Sequence, residues 1–399
     1  MASALLYIAL AVPGILAIPT ILYGMECLAG CLPSRPGPKR RSVLRPAVAI
    51  IVPAYNEELG VAATVSGIRA QMLSGDRILV VADNCTDNTA VAARAAGAEV
   101  VERSDATRRG KGFALDFGLA CLADSPRPVV VFVDADCSML AGSLDALART
   151  VGATRRPVQS CNLMITPEGR RNDFGIAEFA FLVKNFVRPR GMARMGLPCQ
   201  LTGTGMALPW ALTDRVRIAT DDLAEDMKLG LDLAATGHFP VYCEEAGVRS
   251  YFPEAVASAA SQRSRWESGH LRLLASSLCR MLQRPAFAKP RYLAMILDVM
   301  VPPLTLLVFL ILMSICVGVL AGIAGIGWMP LALAAGLGAV LSGTTALAWS
   351  VHGRSAIPAK TLLRIPHYAA SKAWIYRRAL AGRSESAWVR TGRDSAGSR

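Results

Sequence analysis

Three apolar stretches, each long enough to cross a bilayer, restrict what this chain can fold into. Residues 4–32 carry one charge, Glu26; residues 292–320 and 328–350 follow later, separated by the uncharged turn AGIAGIGW and marked by Asp298 near one end. About 20 consecutive apolar residues suffice for a helix across the hydrocarbon layer. Basic residues gather beside these stretches: Arg35, Lys39, Arg40, Arg41 and Arg45 after the first, and ten Lys/Arg against two acidic residues after His352. Lys and Arg accumulate on the cytoplasmic side, and three spans place both basic flanks on that side. The first stretch lacks the basic leading region of a signal peptide. The expected organisation is therefore residues 1–32 as an N-terminal transmembrane helix and 33–45 as a basic cytoplasmic linker. Residues 46–285 follow as a cytoplasmic domain, 286–351 as two transmembrane helices and 352–399 as a basic, aromatic interfacial tail. The expected location is the cell inner membrane, multi-pass.

The remaining composition agrees. The chain is 53% hydrophobic with a net charge of +13, and its mean hydropathy is +0.37. A basic protein suits an anionic partner. The positive charges follow the membrane ends rather than one helix or loop, which argues for membrane lipids and against nucleic acid. In the tail, Tyr368, Trp374, Tyr376 and Trp388 stand among arginines, a mixture suited to the lipid interface. The ten cysteines are scattered, with no Cys-x-x-Cys pair, and read as buried free thiols of a reducing compartment. His238 and His270 have no ligand spacing and read as structural or surface residues. There is no GxxxxGK[ST] loop and no G-x-G-x-x-G after the first strand, which disfavours a P-loop or a dinucleotide fold.

Between residues 46 and 165, β-branched runs alternate with Ala-rich helical stretches. AVAIIVPAY, RILVVAD, AEVVER and PVVVFVD read as strands; LGVAATVSGIRAQM, NTAVAARAAG (with Asp87 as an easy cap) and KGFALDFGLACLA read as helices. Fully apolar strands alternating with helices imply an α/β fold whose mostly parallel sheet is covered on both faces. Such sheets bind ligands at the carboxyl ends of their strands. Here those ends carry Tyr55-Asn56-Glu57, Asp83-Asn84 and Asp134-x-Asp136.

Two aspartates at the end of a buried strand repel unless something positive lies between them. Two such carboxylates can share one divalent cation, and hard oxygen ligands favour Mg²⁺ or Mn²⁺, which also take substrate phosphates. Alone, the pair equally fits an acidic helix cap or the nucleophile of a haloacid-dehalogenase-type phosphatase, although Cys137-Ser138 fit the latter poorly.

Seven motifs in order, AIIVPAYNEE, VVADNCTDNT, GKGFALDFGL, VVFVDAD, TGTGMAL, LAEDMKLGL and QRSRW, resemble the membrane-bound members of glycosyltransferase family 2, relatives of cellulose and hyaluronan synthases and ceramide glucosyltransferase. The resemblance covers residues 47 to about 270. It implies a GT-A-type nucleotide-sugar-binding domain with about three transmembrane helices, and an inverting transferase using a nucleotide-diphosphate sugar, UDP-linked in the first instance. Ala54, Tyr55 and Glu57 would line the base and ribose, Asp83 the uracil edge, and Lys111, between two glycines, the phosphates. Asp134 and Asp136 would hold the donor and its Mg²⁺ or Mn²⁺. Asp226 would be the general base, with Glu225 beside it on the acceptor and diphosphate side and Asp221 and Asp222 only helix-start charges. Gln262, Arg265 and Trp266, three and four residues apart on a helix, would serve the leaving diphosphate and the acceptor. TGTGMAL would wall the acceptor side. Ala82 and Ala224 depart from the family's usual aspartate and threonine. The implied acceptor is a lipid-linked or membrane-proximal glycan of exopolysaccharide assembly. Alternatives are a processive polysaccharide synthase, with or without assembly subunits, and an inactive membrane scaffold.

Overall fold

Apolar runs such as VAIIVPA and VVVF can be hidden in a sheet only if both of its faces are covered. The computed structural model describes residues 2–33, 44–167, 171–215, 218–220, 224–253, 256–281 and 289–371. Arg35, Lys39, Arg40, Arg41, Asp221, Asp222, Trp374, Tyr376 and Trp388 lie outside them. Along the chain the elements are α1 (Ala2–Cys31), β1 (Val48–Ala54), α2 (Val61–Arg69), β2 (Arg77–Asp83), α3 (Thr89–Ala95), β3 (Glu99–Arg103), α4 (Lys111–Leu122), β4 (Val129–Phe132), β5 (Ser138–Met139), α5 (Ser143–Thr154) and β6 (Val158–Ile165). They continue with α6 (Arg171–Leu182), α7 (Arg188–Arg194), β7 (Met206–Pro209), α8 (Glu225–Ala235), β8 (Val241–Tyr251), α9 (Val256–Met281), α10 (Pro290–Val299), α11 (Leu304–Ile323) and α12 (Met329–Ala348). Two compact units result. One comprises residues 44–167 and 198–269; the other comprises 2–33, 171–197 and 270–371.

The first unit is the mixed sheet expected from the alternation. Its eight strands run in the order β3-β2-β1-β4-β7-β6-β8-β5. The β1–β2, β2–β3, β1–β4 and β6–β8 pairs are parallel, and β4–β7, β6–β7 and β5–β8 are antiparallel. Successive strand residues face opposite sides, and the core divides accordingly. Val48, Ile50 and Val52 pack with Val65 and Ile68 of α2 and Leu144 and Leu147 of α5. Ala49, Ile51 and Phe132 pack with Leu115 and Leu119 of α4 and Leu229 and Leu233 of α8.

Among the described residues the second unit contains three helices long and apolar enough to cross a membrane, Leu5–Cys31, Leu304–Ile323 and Met329–Gly353. The stretch 292–320 does not form one span. Pro302-Pro303 break it, because proline lacks the N–H and clashes with the preceding turn, so Asp298 ends up in the separate helix α10. The segment between β6 and β7, left inside the 46–285 domain by its sequence, folds with the apolar helices. Here α6 runs through a π-helical turn, Val183–Val187, into α7. Arg188 then donates from Nε to Glu26 Oε2 at 2.5 Å and from Nη2 to Asp298 Oδ1 at 2.5 Å, all three side chains being nearly buried. His270 is buried in the same unit and pairs through Nε2 with the Val299 carbonyl at 2.8 Å.

None of the ten cysteines forms a disulfide, and only five are buried. Cys121, Cys279 and Cys316 are exposed, since an apolar run on a helix also has an outward face.

Candidate functional site

The turns after β1 and β2 depend on asparagine. Asn56 and Asn84 take left-handed φ values of +54° and +53°, a conformation Asn adopts more readily than most residues because its short amide can bond locally. Thr86 N donates to Asn56 Oδ1 at 2.7 Å, and Asp105 N donates to Asn84 Oδ1 at 2.8 Å. Ala54 closes β1, and the turn carries Tyr55 and Glu57 to its end, where Glu57 N donates to Thr89 Oγ1 at 2.7 Å. Asp87 accepts from Thr89 N at 3.0 Å, so it supports the start of α3 from one residue before the N-cap.

The Asp-x-Asp loop leaves β4 where Val133 N donates to the Ile51 carbonyl at 3.2 Å and Thr64 Oγ1 donates to the Ala135 carbonyl at 2.7 Å. Asp134 N donates to Thr204 Oγ1 at 3.1 Å, and Gly205 N donates to the Phe132 carbonyl at 2.8 Å. The TGTG loop and the Asp-x-Asp loop are thus stitched together. Gln159, 1% exposed, holds the former from beneath: its Oε1 accepts from Thr202 N at 2.8 Å and its Nε2 donates to the Thr204 carbonyl at 2.9 Å.

Lys111, the first residue of α4, is the centre of the cluster. Its Nζ lies 2.5 Å from Asp134 Oδ1 and donates to the Gly203 carbonyl at 2.6 Å. A Cβ on Gly203, whose φ is +85°, would fall 3.0 Å from Asp226 Oδ2 and 3.3 Å from Lys111 Nζ. The two ends of the expected site, Asp134 and Asp226, therefore meet at one lysine and one glycine. Asp226 is oriented by its own helix, with Met227 N donating to its Oδ1 at 2.7 Å. Burial acts against the Lys111 charge, but Asp134, Glu225 and Asp226 outweigh it and raise its pKa. Burial raises the Asp134 pKa, with Lys111 opposing and Asp136 adding to the rise. Burial and then the Asp226 charge push Glu225 up to about 7.

Three carboxylates around one ammonium, with Asp136 acting on Asp134, leave excess negative charge, which suits a cation. Asp134, Asp136 and the Cys137 thiol bring ligand atoms within 4.8 Å of one another. Burial and both aspartates hold the Cys137 thiol well above its ordinary pKa, and it donates to Asp136 Oδ1 at 3.3 Å. The carboxylates are the usable donors, a hard oxygen set of the kind Mg²⁺ and Mn²⁺ take.

The remaining expected residues fall as follows. Asp83 ends β2, and Arg103 Nη1 donates to its Oδ1 at 2.6 Å. Gln262, Arg265 and Trp266 share α9, with Trp266 exposed. Gly112 does not open the approach to Lys111; its missing side chain lets the Ile218 and Thr220 backbone pack 2.6–2.8 Å from where a Cβ would stand. Gln159 and Arg103 went unread because no spacing marks a polar residue that braces a loop from another strand.

Gly205 is the most constrained point of the loop. Its φ is +65°, and a Cβ there would overlap Ser160 Oγ and lie 2.8 Å from Val248 Cγ2. Gly205→Ala is expected to destabilise the unit by about 1–3 kcal/mol, read as a lowered midpoint in thermal unfolding; an unchanged midpoint would contradict this packing.

A family model described as glycosyltransferase-like family 2 matches residues 46–269. Uncharacterized glycosyltransferases of Mycobacterium tuberculosis and Mycobacterium bovis are 39% identical over 119 residues, 28% of this chain and 50% of theirs. The chain spans about half the length of the curated relatives it matches. A mannosyltransferase from Pyrobaculum calidifontis, solved in complex with GDP-Man and Mn²⁺, superposes with a TM-score of 0.56 over 93% of this chain and 99% of its own, at 20% identity. That likeness is one of fold.

Proposed function

Since this chain belongs to the glycosyltransferase-like family 2, we propose that it is an inverting glycosyltransferase that moves a sugar from a nucleoside-diphosphate donor to a glycan or lipid-linked acceptor at the membrane. The observation that carries this reading is the cluster in which Lys111 bridges to Asp134 while Asp226 Oδ2 and Lys111 Nζ flank Gly203.

In this reading Ala54, Tyr55, Glu57 and Asp83 receive the nucleoside, and Lys111 and Arg265 face the diphosphate. Asp134 and Asp136 would hold a Mg²⁺ or Mn²⁺ ion, which when bound offsets charge on the diphosphate. Asp226 takes the proton of the acceptor hydroxyl as its oxygen bonds to the anomeric carbon. The bond from that carbon to the diphosphate oxygen breaks on the opposite face, so one displacement inverts the centre. Glu225 adds negative charge beside the base, and Gln262 and Trp266 serve the acceptor. Lys111 ties base and donor site together, so that both are set before the acceptor arrives.

The three apolar helices and the basic residues beside them support an inner-membrane location with the sheet unit in the cytoplasm. An acceptor for surface or exopolysaccharide assembly would be within reach at that location. Product length separates single addition from processive synthesis: with radiolabelled donor, membranes should yield a short lipid-extractable product, whereas an ethanol-insoluble polymer would favour a synthase.

Chelation tests the metal. Donor hydrolysis or transfer by the purified chain is expected to fall about a hundredfold or more in EDTA and to return with Mn²⁺ or Mg²⁺. Activity indifferent to chelator would remove Asp134 and Asp136 from that role. Turnover of no nucleotide sugar at all would favour an inactive scaffold.

A further inference from the structure

Asp83 is built to accept from one side only. Its Oδ1 takes hydrogen bonds from Arg103 Nη1 at 2.6 Å and Asn84 Nδ2 at 2.9 Å, which uses both lone pairs of that oxygen. Among the described residues no hydrogen bond reaches its Oδ2. Arg103 is fixed in place. Its Nη2 donates to the Arg108 carbonyl at 2.7 Å and to Asp105 Oδ2 at 3.2 Å, and its guanidinium lies 5.9 Å from the centre of the Phe113 ring. The side chains of Arg103 and Asp83 are 8% and 9% exposed. Asn84 is fixed by its left-handed turn and by the bond from Asp105 N.

We propose that Arg103 is the residue that determines nucleobase specificity: by filling Oδ1 of Asp83 it leaves one acceptor oxygen and so selects uridine diphosphate over guanosine diphosphate donors. This rests on the reading that the ends of β1 and β2 receive the nucleoside. Uracil presents a single imide N–H between two carbonyls. Oδ2 of Asp83 accepts that N–H, and a carbonyl beside it meets the remaining N–H groups of Arg103. Guanine presents N1–H and an amino group side by side and asks for two acceptor oxygens. With Oδ1 filled, its amino group is desolvated without a partner, a mismatch that costs about tenfold or more in affinity. The same guanidinium fixes the carbonyl of Arg108, three residues before Lys111, so the base-reading end and the phosphate-reading loop share one brace.

Calorimetric titration of the whole chain in detergent with UDP and with GDP, each with Mn²⁺, reads this directly. UDP should bind about tenfold or more tightly than GDP. Arg103→Met, which opens one of the two acceptor positions on Oδ1, should bring the two toward parity by weakening UDP and strengthening GDP. Asn84→Gly keeps the left-handed backbone, removes the other donor to Oδ1, and should move the ratio in the same direction; it carries the test if Arg103→Met does not fold. Equal binding of GDP and UDP by the unaltered chain overturns the proposal. So does an Arg103→Met chain that loses both nucleotides by the same factor, the result of a merely structural brace. If neither nucleotide binds, the nucleoside-site reading itself falls and the proposal with it, a result distinct from equal binding.

Discussion

Asp226→Asn is expected to slow sugar transfer by about 10²–10⁴-fold, the worth of a positioned general base, while leaving donor binding intact. Asparagine matches the shape of aspartate and can still accept from Met227 N, which lies 2.7 Å from Asp226 Oδ1. What it cannot do is take the acceptor's proton at the other oxygen, the one facing Gly203 and Lys111. A loss confined to the chemical step lowers kcat and kcat/KM together. Single-turnover rates beside calorimetric donor affinity therefore check the assignment. Glu225→Gln is the control, because its carboxyl is raised to about 7 by burial and by Asp226, and it is the neighbouring candidate for the same task. If Glu225→Gln is dead and Asp226→Asn retains turnover, the two roles must be exchanged.

Arg188→Leu is expected to cost about 3–5 kcal/mol, because it leaves two buried carboxylates without their shared cation. Arg188 serves Glu26 through Nε and Asp298 through Nη2, each at 2.5 Å. Lysine should rescue little, since one ammonium on a flexible stem does not reproduce a planar fork with two separate donors. The informative comparison is the triple exchange Glu26→Leu, Arg188→Met and Asp298→Leu. Buried ion pairs replaced together by apolar side chains are often neutral or better, so the triple variant should melt closer to the unaltered chain than Arg188→Leu does. Unfolding midpoints in detergent for the three proteins decide the matter; a triple variant as unstable as the single one would show that the charges contribute beyond their mutual neutralisation.

Features governed by local pattern were readable in the chain. The uninterrupted apolar strands required a sheet covered on both sides, and of the carboxylates at their ends Asp134 lies against Lys111. Relations between distant segments were not readable. Arg103 looks like an ordinary strand-end residue until β2 and β3 pair in parallel and bring it to Asp83, with Asp83 opposite Arg103 in the register. Gln159 is one polar residue in the strand VQSCNLMI, and its task appears only when the 202–205 backbone is laid over it. The 292–320 stretch shows the limit of hydropathy: averaging over a window passes across Pro302-Pro303, whereas the backbone stops there. Residues 171–197 carry Lys184, Arg188, Arg190 and Arg194, and so gave no apolar signal that they belong with the spans.

The excursion through α6 and α7 has a consequence for the order of synthesis. β7 lies between β4 and β6 in the sheet, yet it follows residues 171–197 in the chain. During translation the first four parallel strands can assemble as they emerge, but the strand that joins them to β6 arrives only after the excursion has been made. Both loops of the Lys111 cluster depend on the residues that lead into that late strand, one through the Gly205 to Phe132 bond and the other through Thr204. A nascent chain halted before residue 204 would therefore hold an open sheet edge at Phe132 and an unbraced Asp134. Ribosome-bound chains of increasing length should become resistant to protease across residues 129–165 only once β7 has emerged.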